Sequence, residues 1–398
     1  MKNENYFFLL FLLLSIFGCI VPEQKPPVPV ALPAAVPAEQ GEPTPAIPEF
    51  IDRPQGIPPM GYNPDPEATK EFLQSLEKPT IREAGPELFN KPQAFYGEPK
   101  TGDDEPVLLY RALVEVYQEK YGKPWKTETQ KIGDCVSHGW AHGVAASAAV
   151  KYQLGEISEW QMPATEAIYG GSRVEARGSP GDGARAYGGY SDGSYGAAAA
   201  KWVNARGGIL FRKQYEKFDL SVYSGDRAKE WGAFGCGGKN DGEVADRIAK
   251  DHQCQNVALV RSFTEAAAAI KSGYAVPVCS MQGFSSRRDS QGFASPSGSW
   301  AHCMCFVGVR FDRPGLLCLN SWGDNWITGP VWPDDQIPGS FWVDAAVATR
   351  MLDDGDSFAV STVGGFEFRD LDNAAWLSSA TLPKFQYAAK IHKANLPR

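Results

Sequence analysis

The sequence predicts an α+β fold in two halves: a helical lobe, then an antiparallel β-sheet or barrel lobe, with a ligand cleft between them. Three observations carry that expectation. Helical spacing dominates up to about residue 255, and from there short apolar runs read as strands. A stretch rich in small residues follows Cys135, as suits a helix packed closely on its neighbours. Late in the chain, His302 and Asn320 fall on what read as successive strands.

Residues 1–19 read as an export signal rather than as fold. A polar start with Lys2 and Glu4 precedes an apolar run over Phe7–Phe17, too short to span a bilayer. It ends at Ile16-Phe17-Gly18-Cys19, which resembles a bacterial lipoprotein signal in which Cys19 becomes the lipidated first residue. Residues 20–66 read as a tether, because 14 residues from Pro22 to Pro66 are proline. That composition favours extended polyproline II and cannot bury a core.

Helical spacing is predicted over 67–78 and 105–121. In the second, Leu108, Leu109, Leu113, Val114 and Tyr117 recur at intervals of three and four, and Gly122 and Pro124 stop it. Residues 67–125 are thus a helical N-terminal extension or a propeptide. The next helix spans 136–153 and stops at Gly155; a glycine-rich loop and a helix over 197–208 follow, ending on Gly207-Gly208. Strands are expected over 257–260, 275–279, 302–311, 315–320, 340–343 and 357–363. A catalytic domain of 126–370 and a C-terminal tail of 371–398 complete the layout.

Bulk chemistry narrows the function. A chain of 398 residues has room for a sizeable core, and a net charge of −8 without a long basic run argues against a nucleic-acid partner. Eight cysteines are too few for a disulfide scaffold. Cys279, Cys303, Cys305 and Cys318 fall on strands among apolar neighbours and read as buried thiols rather than metal ligands. No metal and no cofactor is expected. Cys236 and Cys254 flank a polar segment and remain open to pairing in an oxidising compartment. Gly238-Lys239 lacks the Ser or Thr of a phosphate loop, and Asp353-Asp354-Gly355-Asp356 lacks calcium-loop spacing and reads as a turn.

Chemistry concentrates on three residues. Cys135 begins a helix after Gly133-Asp134, where the helix dipole and a nearby imidazolium lower a thiol's pKa. Of five histidines, His302 opens a strand whose alternation puts Cys303, Cys305, Val307 and Val309 on one face. His302, Met304 and Phe306 take the other. A hairpin then brings Asn320 beside His302, where its amide fixes the ring's orientation and tautomer, and Trp322 covers the pair. His138, one turn past Cys135, is the rival partner, but it projects along the helix flank. His142 and His252 read as ordinary surface or core residues.

Cysteine, histidine, and asparagine within Asn320-Ser321-Trp322-Gly323, in that order, resemble the papain-like cysteine peptidase family over roughly residues 126–365. DGSYGAAAAKWVNARGGIL (192–210) and TEAAAAIKSGYAVPVCS (264–280) resemble further stretches of it. The resemblance implies peptide-bond hydrolysis through an acyl-enzyme and a peptide or protein substrate. It implies Gln130 and the Cys135 N–H as an oxyanion hole, and Gly193 and Ser194 as backbone partners of an extended substrate. The nucleophile motif departs from the family pattern: it has one cysteine rather than two. Trp140 lies five residues beyond Cys135, not next to it, and Gln130 lies five before it, not six. Bacterial relatives resemble this single-cysteine form. Lipidation at Cys19 would anchor the enzyme to a membrane at the cell envelope or surface. Two other readings stay open: an inactive binding module on the same fold, and a Cys-His amidase acting on cell-wall peptides.

Overall fold

Strands that are apolar on both faces cannot sit on a solvated sheet and need cover on each side. β4 (Ala294–Arg310) and β5 (Gly315–Leu319) are of this kind; every residue of β5, and of β4 from His302 onward, is buried. The computed structural model describes residues 60–81, 83, 106–177, 192–361 and 363; Cys19, most of the tether and the tail lie outside them. β4 is the spine of the main sheet. Along one edge β3 (Val276–Arg288) runs antiparallel, with Cys279 opposite Cys303 and Ser280 opposite His302. β1 (Val107–Leu108) continues that edge, Val107 facing Val309. β5 takes the other edge, with β6 (Ser340–Asp344) beyond it. No strand pairing among the described residues closes this sheet, so the sheet alternative holds and the barrel does not. β2 (Val257–Leu259) and β7 (Phe358–Val360) form a separate antiparallel ribbon.

The helices follow from capping and small residues. α1 (Pro66–Ser75) starts with proline at its first position and Asp65 accepting from the Ala68 N–H at 3.0 Å. α2 (Leu109–Tyr121) ends at Gly122 in the left-handed region, φ 64°. α3 (Cys135–Leu154) is buried from Cys135 through Val150 and lies directly on β3 and β4. A Cβ at Gly139 would stand 2.7 Å from the Met304 carbonyl oxygen and 2.8 Å from the Cys303 sulfur, so glycine sets that close approach. Overpacking it costs about 1–3 kcal/mol.

Four helices escape the sequence periodicity: α4 (Thr165–Arg173), α6 (Gly225–Phe234), α7 (Gly238–Lys250) and α9 (Ala345–Asp353). In α7 the buried positions are Gly238, Ala245 and Ala249, residues that leave little apolar signal. The helix expected over 197–208 is α5 (Gly196–Lys201) followed by one π turn, Trp202–Arg206. α8 (Phe263–Lys271), capped by Ser262, lies at the start of the stretch 264–280 that resembles part of the family. Cys236 and Cys254 are separate buried thiols, not a disulfide. The acidic cluster is more than a turn: Asp356 is buried and accepts from the first N–H groups of α5, Gly196 at 2.7 Å and Ala197 at 2.6 Å.

Candidate active site

The strand side of the site comes from β4 and the residue after β5. Antiparallel register sets Cys305 opposite Leu319; Asn320 is the next residue past β5, His302 lies three residues back along β4, and their side chains meet there. His302 Nε2 lies 2.7 Å from Asn320 Oδ1, with both side chains buried. Asn320 Oδ1 also accepts from the Ser321 N–H at 2.7 Å, which fixes the amide so that its oxygen faces the imidazole. Nε2 must therefore donate, leaving Nδ1 as the basic nitrogen of the neutral ring. Trp322 lies over the ring, centroids 4.6 Å apart and planes 32° apart. Trp300 and Trp326 extend this aromatic cover, at 4.7 and 5.3 Å from Trp322.

Cys135 is the first residue of α3 and is fully buried. Its sulfur faces the backbone N–H groups of Cys303 and Gly61. Since Cys303 directly follows His302, the thiol and the imidazole belong to the same stretch in the middle of β4. The expected lowering of the thiol's pKa is not found. Burial pushes it well above its ordinary value, the neighbouring Cys303 thiol and the Asp134 carboxylate add to the rise, and the two N–H groups oppose it without winning. A sulfur shut away from solvent favours the neutral thiol, whatever the helix dipole offers.

Chain from outside the expected domain covers that sulfur. Within residues 60–66, the end of the segment read as a tether, Gly61 and Tyr62 are buried. Ser194 N–H donates to the Gly61 carbonyl at 2.8 Å, Asn63 N–H donates to the Ser194 carbonyl at 2.8 Å, and Tyr62 N–H donates to the Ala301 carbonyl at 3.0 Å. Ser194 thus pairs with Tyr62 as a short parallel bridge, and Tyr62 is 2% exposed. A Cβ at Gly61 would lie 1.7 Å from the Gly133 carbonyl oxygen, so only glycine passes there. Ser194 therefore does hydrogen-bond to extended backbone, here the chain's own. Gly193, at φ 111°, has its N–H bonded to the Tyr169 hydroxyl at 3.0 Å and its carbonyl to Arg173 instead.

Gln130 is buried against Ser321, the residue after Asn320. Its backbone N–H donates to the Ser321 carbonyl at 2.9 Å, its Oε1 accepts from the Ser321 hydroxyl, and its Nε2 donates to the Ile132 carbonyl at 2.9 Å. One Nε2 proton is thereby committed. A cavity of about 370 Å³ lies beside it, lined by Met60, Thr129, Gln130, Ser286 and the three tryptophans. His138 turns away from the site. Its Nε2 is 3.5 Å from Asp134 Oδ2, which the Tyr223 hydroxyl also reaches at 2.8 Å. Burial opposes the imidazolium there, but Asp134 outweighs it and lifts His138 above its ordinary value. His142 lies against Trp125, and burial depresses it to about 3. Sequence reading missed the covering segment; its one signal is Gly61-Tyr62, a small residue and an aromatic inside a proline-rich run.

No protein-family model matches the chain, and no curated protein does. Solved structures do match it. Xylellain, a cysteine protease from Xylella fastidiosa, is 14% identical over 77% of this chain and 94% of its own, with a TM-score of 0.41. Procathepsin B S9 from Trypanosoma congolense is 9% identical over 77% and 86%, TM-score 0.43. Digestive procathepsin L 3 of Tenebrio molitor larval midgut is 14% identical over 74% and 79%, TM-score 0.39. Likenesses of this strength carry no functional weight, and the residues of this chain have to supply it.

Proposed function

We propose that the chain is a cysteine peptidase held in a latent form. Cys135 attacks the carbonyl of a peptide bond, His302 Nδ1 takes the thiol proton and returns it to the leaving amine, and Asn320 holds the ring through Nε2. The acyl-enzyme is then hydrolysed by water activated at the same nitrogen. The Cys135 N–H and the Gln130 side-chain amide are assigned to the oxyanion, and Trp322 shields the His302–Asn320 bond. The observation that carries this reading is the 2.7 Å bond between His302 and Asn320, one residue from the Cys303 N–H that faces the Cys135 sulfur. Latency rests on the covering segment. Gly61 meets the sulfur with its N–H, while its carbonyl bonds to the Ser194 N–H.

Labelling the full chain with an epoxide inhibitor of thiol peptidases, before and after limited cleavage inside residues 20–66, tests the assignment. A single adduct on Cys135 that appears after cleavage and vanishes in His302→Ala supports it. Adducts elsewhere, or none, would move the reading to a binding module. We propose further that Cys19 is lipidated and holds the enzyme at the cell envelope. Incorporation of a labelled fatty acid that persists in Cys19→Ser would refute this.

A further inference from the structure

The covering segment carries more than a lid, because one of its side chains fills a built pocket. Tyr62 runs inward between Ser194 and Ala301, and its hydroxyl hydrogen-bonds to the Asp356 carboxylate. Asp356 cannot swing away. The Gly196 and Ala197 N–H groups hold its two oxygens at 2.7 and 2.6 Å, and Thr69 donates to it at 3.4 Å. Tyr62 and Asp356 also line a cavity of about 490 Å³ that stays open beside them.

We infer that Asp356 is the specificity-determining residue of this cleft, selecting peptides that place a tyrosine in the position Tyr62 now fills. The assignment rests on the peptidase reading for its purpose, though not for its geometry. A buried carboxylate held at the distance the Tyr62 hydroxyl reaches rewards a side chain of that length with a hydrogen-bond donor at its tip. A buried acceptor left unmatched by phenylalanine or leucine costs binding. Lysine and arginine also end in donors, and the cavity lining mixes Lys70 and Arg261 with Asp65 and Asp354, so its charge does not choose between them and tyrosine. Burial pushes the Asp356 carboxyl up to about 7, so near neutrality much of it carries no charge to pair with an ammonium.

The test uses the full chain in two readouts. First, Cys135 alkylation by iodoacetamide is followed by mass spectrometry in Tyr62→Phe, Asp356→Asn and the double variant. Each single substitution is expected to speed alkylation by about tenfold as the segment loosens, and the double variant by no more than either alone, since one bond is lost in all three. No acceleration in Tyr62→Phe, or effects that multiply, would overturn the assignment. Second, Tyr62→Ala, which vacates the pocket, is given acetyl-Met-Gly-X-Asn-amide peptides with X as Tyr, Phe, Leu, Lys or Arg. Binding and cleavage are measured separately. Tyrosine is expected to lead by about tenfold, with the lead lost in Tyr62→Ala/Asp356→Asn. A tyrosine lead in binding without hydrolysis of any peptide would leave this assignment standing and remove the peptidase reading. Hydrolysis with Tyr and Phe within twofold of each other would do the reverse. A lead for Lys or Arg would replace the tyrosine assignment with a cationic one.

Discussion

On the strand side of the cleft, His302 and Asn320 are joined at 2.7 Å beneath Trp322, with the asparagine oxygen pinned by the Ser321 N–H. On the helix side, Cys135 lies under Gly61, and burial holds its thiol in the protonated form. His302 and Asn320 are joined and dry, whereas Cys135, the proposed nucleophile, is closed off. The two sides differ because their partners differ in origin. Strand pairing inside the domain builds the first, and a segment from before the domain is laid over the second. A latent peptidase needs only the second to change.

The strongest way to break this comparison is to remove the chemistry. With the covering segment cleaved, Cys135→Ala and His302→Ala are each expected to lower kcat/KM for a peptide substrate by about 10⁴-fold or more. A smaller loss for His302→Ala, measured by steady-state hydrolysis, would mean that another base serves the thiol. Asn320→Ala is expected to lower kcat by about 10²-fold with little change in KM, because the imidazole loses its orientation rather than its basicity. Gly61→Ala tests the helix side alone. Its methyl has no room against the Gly133 carbonyl, so the uncleaved chain should alkylate at Cys135 about tenfold faster or more.

Smaller effects sharpen the picture. Asp356, pushed up to about 7, binds its proton more tightly in the folded chain than in the unfolded one, where a carboxyl titrates near ~4. Between those values the native state holds a proton the unfolded state has lost, so stability falls as pH rises through that window. Glu175, at about 7, and Asp246, at about 6, have the same sign. Tm should therefore fall between pH 5 and pH 8, and Asp356→Asn should shallow the slope without abolishing it. A flat profile in the parent would contradict these shifts. Least of all, His138→Gln should change the rate of the cleaved enzyme by no more than about twofold, whatever it does to stability, because it faces Asp134 and Tyr223.

Local pattern carried much of the fold. Gly122 and Gly155 end α2 and α3 where they were expected to, in the left-handed region that glycine alone enters cheaply. The strands from 257 onward start or end where buried apolar runs placed them, but β3 runs on to Arg288 and β4 begins at Ala294, through largely exposed stretches that show no apolar run. α6 and α7 were illegible for a different reason. Their inward positions are mostly alanine and glycine, and charged residues dominate the rest. The close approach of α3 to the sheet was foreshadowed by its small residues, and Gly139 against Met304 and Cys303 is where that mattered.

For the candidate site, the sequence by itself determined the cysteine, histidine and asparagine that the proposal uses, their order, and the hairpin register that joins His302 to Asn320, because spacing along paired strands is a local property. Tertiary structure alone decided the state of the Cys135 thiol and the nature of the pocket. A thiol's pKa depends on what covers it, and the cover at Cys135 is Gly61, far away along the chain. Asp356 read as part of a turn until α5 and Tyr62 closed on it. Burial and long-range pairing are set by which segments meet in space, and no window of sequence contains both partners.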